Sequence, residues 1–594
     1  MKSYGKSKSM CMLLPLLAAC SGGNGGGTPG EQLAPPVAAQ AMPQPVASIT
    51  PLSDFDVWTR RLMADRLSSV LPAASDLSHA WVGADGQPAN VVVRTPRTAG
   101  KPTVLVSPPA AGEDATPVFQ AALAQAKKNG GGVVQVAAGE YRFRTANTEQ
   151  PGLAHMILSR LADVDIQAAG ASFVFEAGLD GIFVQDCVRT RIQGARMYDA
   201  RVLSGTGRIR VVDGVKQLQL ETPVPPGLGI YWVQAMNEGS HTWPLTQVRG
   251  IIPPTMAQPT KLDERTYTSP ELRAFSDGQF VAVRFTHYTG RAVYVRDSYT
   301  GSSEDIVLDG LQIGSVGGMG IGVKMRGRGI AIVNSSIAAS PGRPYSTNYD
   351  GIHLVATAGD VLIRGNSIAH TGDDLINLRS LIHRATPIDT DSATLTNDAR
   401  MIRVGDEVAF FNRSGEYLGR RIVSQAPPIA HSDTVTFTFR PGEPFTEAAY
   451  ARVVNMTARR FAVVDNTLFD AAGRGMLIQV ANGVVQNNAF RNLPRTAVRM
   501  LTSFDPWLEG AGAINVRVTA NTIENGGTEF VTSFGTGIIT ALGELTAGKL
   551  PSNTYNAWIK IDGNRFISPR ANCIAVYNTA HLIQENNDCG QARS

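Results

Sequence analysis

The sequence predicts an all-β protein, a right-handed parallel β-helix with two small antiparallel β-barrel-like insertions. Three observations point there. Short β-branched strands are repeatedly followed by a turn of the form Asn-x-apolar. It occurs at Asn366-Ser-Ile368, Asn466-Thr-Leu468, Asn488-Ala-Phe490, Asn521-Thr-Ile523, Asn564-Arg-Phe566 and Asn587-Asp-Cys589, with Ser335-Ser-Ile337 as a weaker member. Successive Asn residues are 100, 22, 33, 43 and 23 apart, so spacings of 22 to 33 are single coils and the longer ones carry insertions. A recurrence of this size marks a solenoid. Asn tolerates the left-handed backbone that such corners need, and its amide can bond to the next coil. Finally, 43% apolar and 18% charged residues exclude wholesale disorder, and no heptads or helix pairs compete.

Taken in chain order, three lysines precede the apolar run Met10 to Ala19, too short to span a membrane. Leu17-Ala-Ala-Cys20 resembles the bacterial lipobox, which implies that residues 1–19 are a removed signal and that Cys20 carries lipid, the alternative being ordinary cleavage after Ala19 that leaves Cys20 a free thiol. Ser21 then implies sorting to the outer membrane. Removing Lys2, Lys6 and Lys8 from the 54 basic residues leaves 51 against 50 acidic ones, a net of +1, with no basic footprint for nucleic acid. Residues 20–53, rich in Gly, Pro, Ala and Gln, read as a flexible tether. An accessory segment, 54–112, holds one helix-like stretch, Val57 to Val70.

The β-helix is expected to begin at 113–204, with a capping helix over Thr116 to Lys128 that ends at Asn129-Gly-Gly-Gly. This entry resembles the cap of pectin-lyase-type β-helices. Residues 205–292 and 381–455 break the period with alternating strands such as Gln279-Phe-Val-Ala-Val-Arg-Phe and Thr434-Val-Thr-Phe-Thr-Phe, and read as the two insertions. The helix resumes over 293–380 and 456–594. Export permits a Cys573–Cys589 disulfide, with two buried thiols as the alternative.

Two coils can be overlaid with an offset of 24. Tyr349-Asp350-Gly-Ile-His353-Leu falls on Asp373-Asp374-Leu-Ile-Asn377-Leu, which stacks Ile352 on Ile376 and Leu354 on Leu378 inside. Rungs of a parallel sheet lie about 4.8 Å apart. Asp350, Asp373 and Asp374 therefore share one small volume, where mutual repulsion is expected to raise one pKa and leave the others charged. That division suits glycoside hydrolysis. The other reading of the stack is a Ca²⁺-binding or solvated Asp turn. The next coil matches Gly475 to Gly351, so Arg474 enters the Asp350/Asp374 column, and Arg499 enters the His353/Asn377 column one coil later. Each arginine can clamp a sugar or serve an ion pair. The loop Pro506-Trp507-Leu-Glu509 offers a Trp for stacking on a sugar, or a packed corner, beside an acid.

The order Asn348-Tyr-Asp350-Gly, then Gly372-Asp373-Asp374, resembles the polygalacturonases, although their later Gly-His-Gly and Arg-Ile-Lys motifs are missing. A closer resemblance, over roughly residues 205–530, is to the β-helical alpha-1,3-galactosidases, an inverting glycoside hydrolase family. It rests on Gly318-Met-Gly, Arg343-x-x-Ser346-x-x-x-Asp350-Gly-x-His353, Asp373-Asp374-x-x-Asn377, Val404-Gly-Asp406-x-Val408, Arg474-Gly-x-Leu477 and Trp507-x-Glu509. Leu378-Arg379-Ser380 stands where that family carries a His-Gly pair. The resemblance implies an exo-acting, inverting alpha-galactosidase without metal or organic cofactor. In it Asp373 gives a proton to the leaving oxygen, Asp350 and Asp374 hold the attacking water, and Arg343, His353, Asn377, Arg474, Arg499, Trp507 and Glu509 bind substrate. Rival readings are a Ca²⁺-dependent polysaccharide lyase, a polygalacturonase-like hydrolase of an acidic polysaccharide, and a non-catalytic glycan-binding surface protein. The partners expected are a glycan, a membrane through the lipid anchor only, and a second copy of the chain if it oligomerises.

Overall fold

In the computed structural model the described residues run from Thr59 to Gly590, without 61, 147–153, 177, 246–249, 252–258, 288, 428–433, 443, 506, 511, 528–536 and 545–553. The signal, the tether and Cys20 lie outside them. Three long parallel sheets of twelve, ten and ten strands wind around one core, and every pairing within them is parallel, which confirms the predicted β-helix. Inward ladders fill it. Ile352 pairs with Ile376, then Met476 and Val498, while Leu354 pairs with Leu378, then Ile478 and Met500. All eight are 2% exposed or less.

The repeated asparagines form a continuous side-chain ladder. The backbone N–H of Ser335 donates to Asn366 Oδ1 at 2.9 Å, and the same bond recurs from Asn366 to Asn466, Asn466 to Asn488, Asn488 to Asn521, Asn521 to Asn564 and Asn564 to Asn587. One expectation is corrected. The left-handed residue at these corners is the one before the ladder Asn: Asn334, Gly365, Asp465, Asn487, Ala520, Gly563 and Asn586 all have φ between 52° and 68°. The ladder Asn is thereby turned inward, where its amide replaces the interrupted backbone pairing.

The capping helix spans Thr116–Lys128, as predicted, and buries Phe119 against Tyr141, Phe143 and Phe173 with centroids 5.3 to 5.5 Å apart. The accessory segment contributes more than one helical turn. A hairpin, Leu77–Val82 with Pro88–Val93, packs Trp81, Val91 and Val93 onto Val307, Ala331, Leu362 and Ala462. Strand Thr103–Val106 pairs in parallel with Gly132–Val136, so the twelve-stranded sheet starts before residue 113. The second insertion closes into a six-stranded barrel. The first is a seven-stranded antiparallel sheet whose end strands, Gly250–Ile251 and Thr260–Lys261, are not paired with each other among the described residues. Cys573 and Cys589 are free thiols, the first buried and the second exposed, with Cys573 Sγ 3.6 Å from the Cys589 carbonyl oxygen. No helix of the described residues is long and apolar enough to cross a membrane.

Candidate active site

Asp350 ends one turn just before strand Ile352–Val355, and Asp373 and Asp374 end the next just before Ile376–Arg379. The predicted overlay holds residue for residue, with Ile352 on Ile376 and His353 on Asn377. One oxygen from each of Asp350, Asp373 and Asp374 lies within 4.8 Å of the others. Among the described residues they are the one group of His, Cys, Asp or Glu close enough to share a metal ion.

Donors surround this cluster. Asp350 Oδ1 accepts the Asp374 backbone N–H at 3.2 Å, and its Oδ2 is bonded to His353 Nδ1. Asp374 Oδ1 accepts the Arg474 backbone N–H at 2.8 Å, and the Arg474 guanidinium reaches Asp374 Oδ2 at 3.3 Å. Burial, then Asp374 and Asp350, pushes the Asp373 carboxyl up to about 7. Asp350 is also raised, by burial first and then by Asp374 and Glu509. Repulsion was expected to raise one group. Burial is the larger cause and lifts two.

His353 and Asn377 flank the aspartates as expected, 7% and 5% exposed. Asn377 Oδ1 is buried and accepts no hydrogen bond, so it offers an acceptor to a ligand hydroxyl. Arg474 joins the cluster. Arg499 is buried in the predicted column, beyond Leu477. Glu509 is brought in by an antiparallel bridge to Leu381 and accepts from Arg379 Nη1 at 2.6 Å. Trp507 is 57% exposed on the same loop and is not bonded to the aspartates. Arg343 stands apart in the turn Ser340–Arg343, half-buried and without an ion pair among the described residues.

Two site residues escaped the sequence reading. Arg379, in the position that departs from the galactosidase pattern, ties Glu509 to His353. Arg495 acts on Asp373 from the same column two coils on. Extending the overlay by one coil would have found it, since Gly473 follows Asp373 and Arg495 follows Gly473. Gly473 is required there, because a Cβ would sit 2.5 Å from the Asp373 carbonyl carbon.

Fold and site together define a parallel β-helix with three carboxylates clustered on two consecutive turns, Asp350 and Asp374 buried and Asp373 half-buried. No family model matches the chain, and no curated protein matches it. Solved structures to which it is similar include an exopolygalacturonase from Thermotoga maritima, with 13% identity over 83% of this chain and 94% of that one, at TM-score 0.38. An alginate lyase from Paenibacillus shares 10% identity over 80% and 99%, at 0.37. An alpha-1,3-glucanase catalytic unit from Streptomyces thermodiastaticus shares 13% over 85% and 72%, at 0.32. At these scores the fold rests on the strand pairing itself.

Proposed function

We propose that this protein is an exo-acting, inverting glycoside hydrolase that removes terminal alpha-1,3-linked galactose from oligo- or polysaccharides. The observation that carries the reading is the geometry of the three-carboxylate centre: Asp350 and Asp374, one above the other, each accept a backbone N–H, Asp373 stands one residue aside, and burial raises both Asp350 and Asp373. Asp373 protonates the leaving oxygen. A water held by Asp350 and Asp374 attacks the anomeric carbon from the opposite face and loses its proton to that pair. Galactose and the linkage rest on the motif resemblance alone.

One observation favours a second stereochemistry. Carboxyl oxygens within 4.8 Å are nearer the spacing of retaining enzymes, at about 5 Å, than of inverting ones, at about 6.5–9.5 Å. The inverting reading stands on the third carboxylate, because the water is held by a pair rather than placed between a lone acid and a lone base. Proton NMR of the first-formed sugar tests it, with a beta product from an alpha substrate expected. Net retention would reject inversion. Turnover of aryl alpha-galactosides tests the sugar against other aryl alpha- and beta-glycosides and against polygalacturonate. On a good aryl leaving group, Asp373→Asn should retain more activity than Asp350→Asn or Asp374→Asn. On a disaccharide it should lose far more.

A further inference from the structure

Tyr349 and Asp373 are rung neighbours. The Asp373 backbone N–H donates to the Tyr349 carbonyl at 3.3 Å, and Gly318 and Gly473 hold the corresponding positions on either side. Their column thus contains one aromatic ring and one acid, bounded by residues without side chains. From Tyr349 the aromatic surface continues into the first insertion. The Tyr349 hydroxyl is bonded to His287 Nδ1 at 2.7 Å, and the two rings meet edge to face. His287 stacks on Tyr231 with centroids 5.9 Å apart and planes 15° apart. Tyr349 and Tyr231 are half-buried and His287 is exposed, so the row presents ring surface to solvent.

The row is fixed to the catalytic turns from behind. Arg284, 7% exposed, stands over the rings of Tyr349, Trp232 and Tyr345 at 5.6, 5.2 and 5.0 Å. Its guanidinium also donates to the Gly372 carbonyl, next to Asp373. The insertion is therefore held to the turn that carries the acid, and an aromatic row held this firmly loses little freedom when a ring stacks on it.

We infer that Tyr349, His287 and Tyr231 form a subsite for the leaving saccharide, stacking one or two neutral pyranose rings on the reducing-end side of the scissile bond. The inference rests on the assignment of Asp373 as the acid, because a general acid stands on the side of the leaving group. The terminal sugar then occupies the opposite side, toward His353 and Asn377.

The test uses the whole chain with Tyr231→Ala and His287→Ala, singly and together. Each is assayed on alpha-galactosyl fluoride, which has no leaving ring, and on an alpha-1,3-galactosyl trisaccharide. The double variant should lose tenfold or more in kcat/KM on the trisaccharide and stay within twofold on the fluoride. Equal losses on both, or none on either, would overturn the subsite. Saturation-transfer NMR on Asp374→Asn protein separates this from a failure of the functional reading. Strong transfer to the leaving-side rings, abolished by the two aromatic replacements, supports the subsite even if the wild type turns over nothing, in which case catalysis is what fails. Transfer that the replacements leave unchanged rejects the subsite, and absence of both binding and turnover rejects subsite and hydrolase together.

Discussion

Arg379 donates its Nε–H to His353 Nε2 at 3.0 Å, and because a guanidinium has no acceptor, this bond fixes the His353 proton on Nδ1. That proton faces Asp350 Oδ2. Glu509, accepting from Arg379 Nη1, completes a chain of four side chains ending at the Asp350 carboxylate. Burial, then Arg379, pushes the His353 imidazole down to about 3, so it is neutral at neutral pH.

Replacing Arg379 should therefore alter the pH profile as well as the rate. In Arg379→Met the unpaired Glu509 and the lost cation both raise the His353 pKa toward 6.5. Burial still holds it below that value, so His353 gains its proton at a higher pH than in the wild type, on the acid side of the profile, and there weakens Asp350 as a base. We expect kcat to fall about 10- to 100-fold at pH 7 and further at pH 5, with partial rescue by Arg379→Lys. An unchanged ratio of pH 5 to pH 7 activity in the variant would reject the relay.

Asp373 sets the opposite limb. A proton donor with a pKa of about 7 is half lost at that pH, so kcat/KM should decline above it. Stability follows the same sign. The folded chain binds a proton on Asp373 between about pH 4 and 7 that the unfolded chain does not, so this group favours unfolding as pH rises through 7. Asp373→Asn should raise Tm by about 1–3 °C at pH 8 and change it little at pH 3.5. Scanning fluorimetry at the two pH values checks this, and a lower Tm at pH 8 would contradict it.

The asparagine ladder should be costly to interrupt at its centre. Asn488 is 1% exposed, and its amide bonds the Asn521 side chain and the Val463 carbonyl while accepting from Asn466. Asn488→Ala leaves several of these groups buried without partners, a loss of about 3 kcal/mol or more. Asn587, at the half-exposed end, should cost about 1 kcal/mol. Urea unfolding of the two variants gives the comparison, and equal losses would argue against a continuous ladder.

Cys20 is proposed as the lipid attachment site. Cys20→Ser should release the protein from the membrane fraction or leave its first 19 residues uncleaved. Variant and wild type found equally membrane-bound and equally processed would exclude this.

The sequence by itself determined the β-helix, its capping helix and the stacking of Asp350, Asp373 and Asp374, because a fixed coil period turns a linear offset into a spatial register. An offset of 24 brought His353 onto Asn377, and the match of Gly475 to Gly351 carried the columns on to Arg474 and Arg499. Which residue of each corner is left-handed was not legible, since Asn is suited both to that backbone and to the inward ladder. Nor was the hairpin Leu77–Val82 with Pro88–Val93, whose partners lie more than 200 residues away. The tertiary structure alone decided the chemistry around the register. Glu509 reaches Arg379 through the loop after strand Val498–Ser503, and Tyr231 and His287 reach Tyr349 through the first insertion, and neither segment obeys the coil period. Burial in the folded chain, more than mutual repulsion, is what raises Asp373 to about 7.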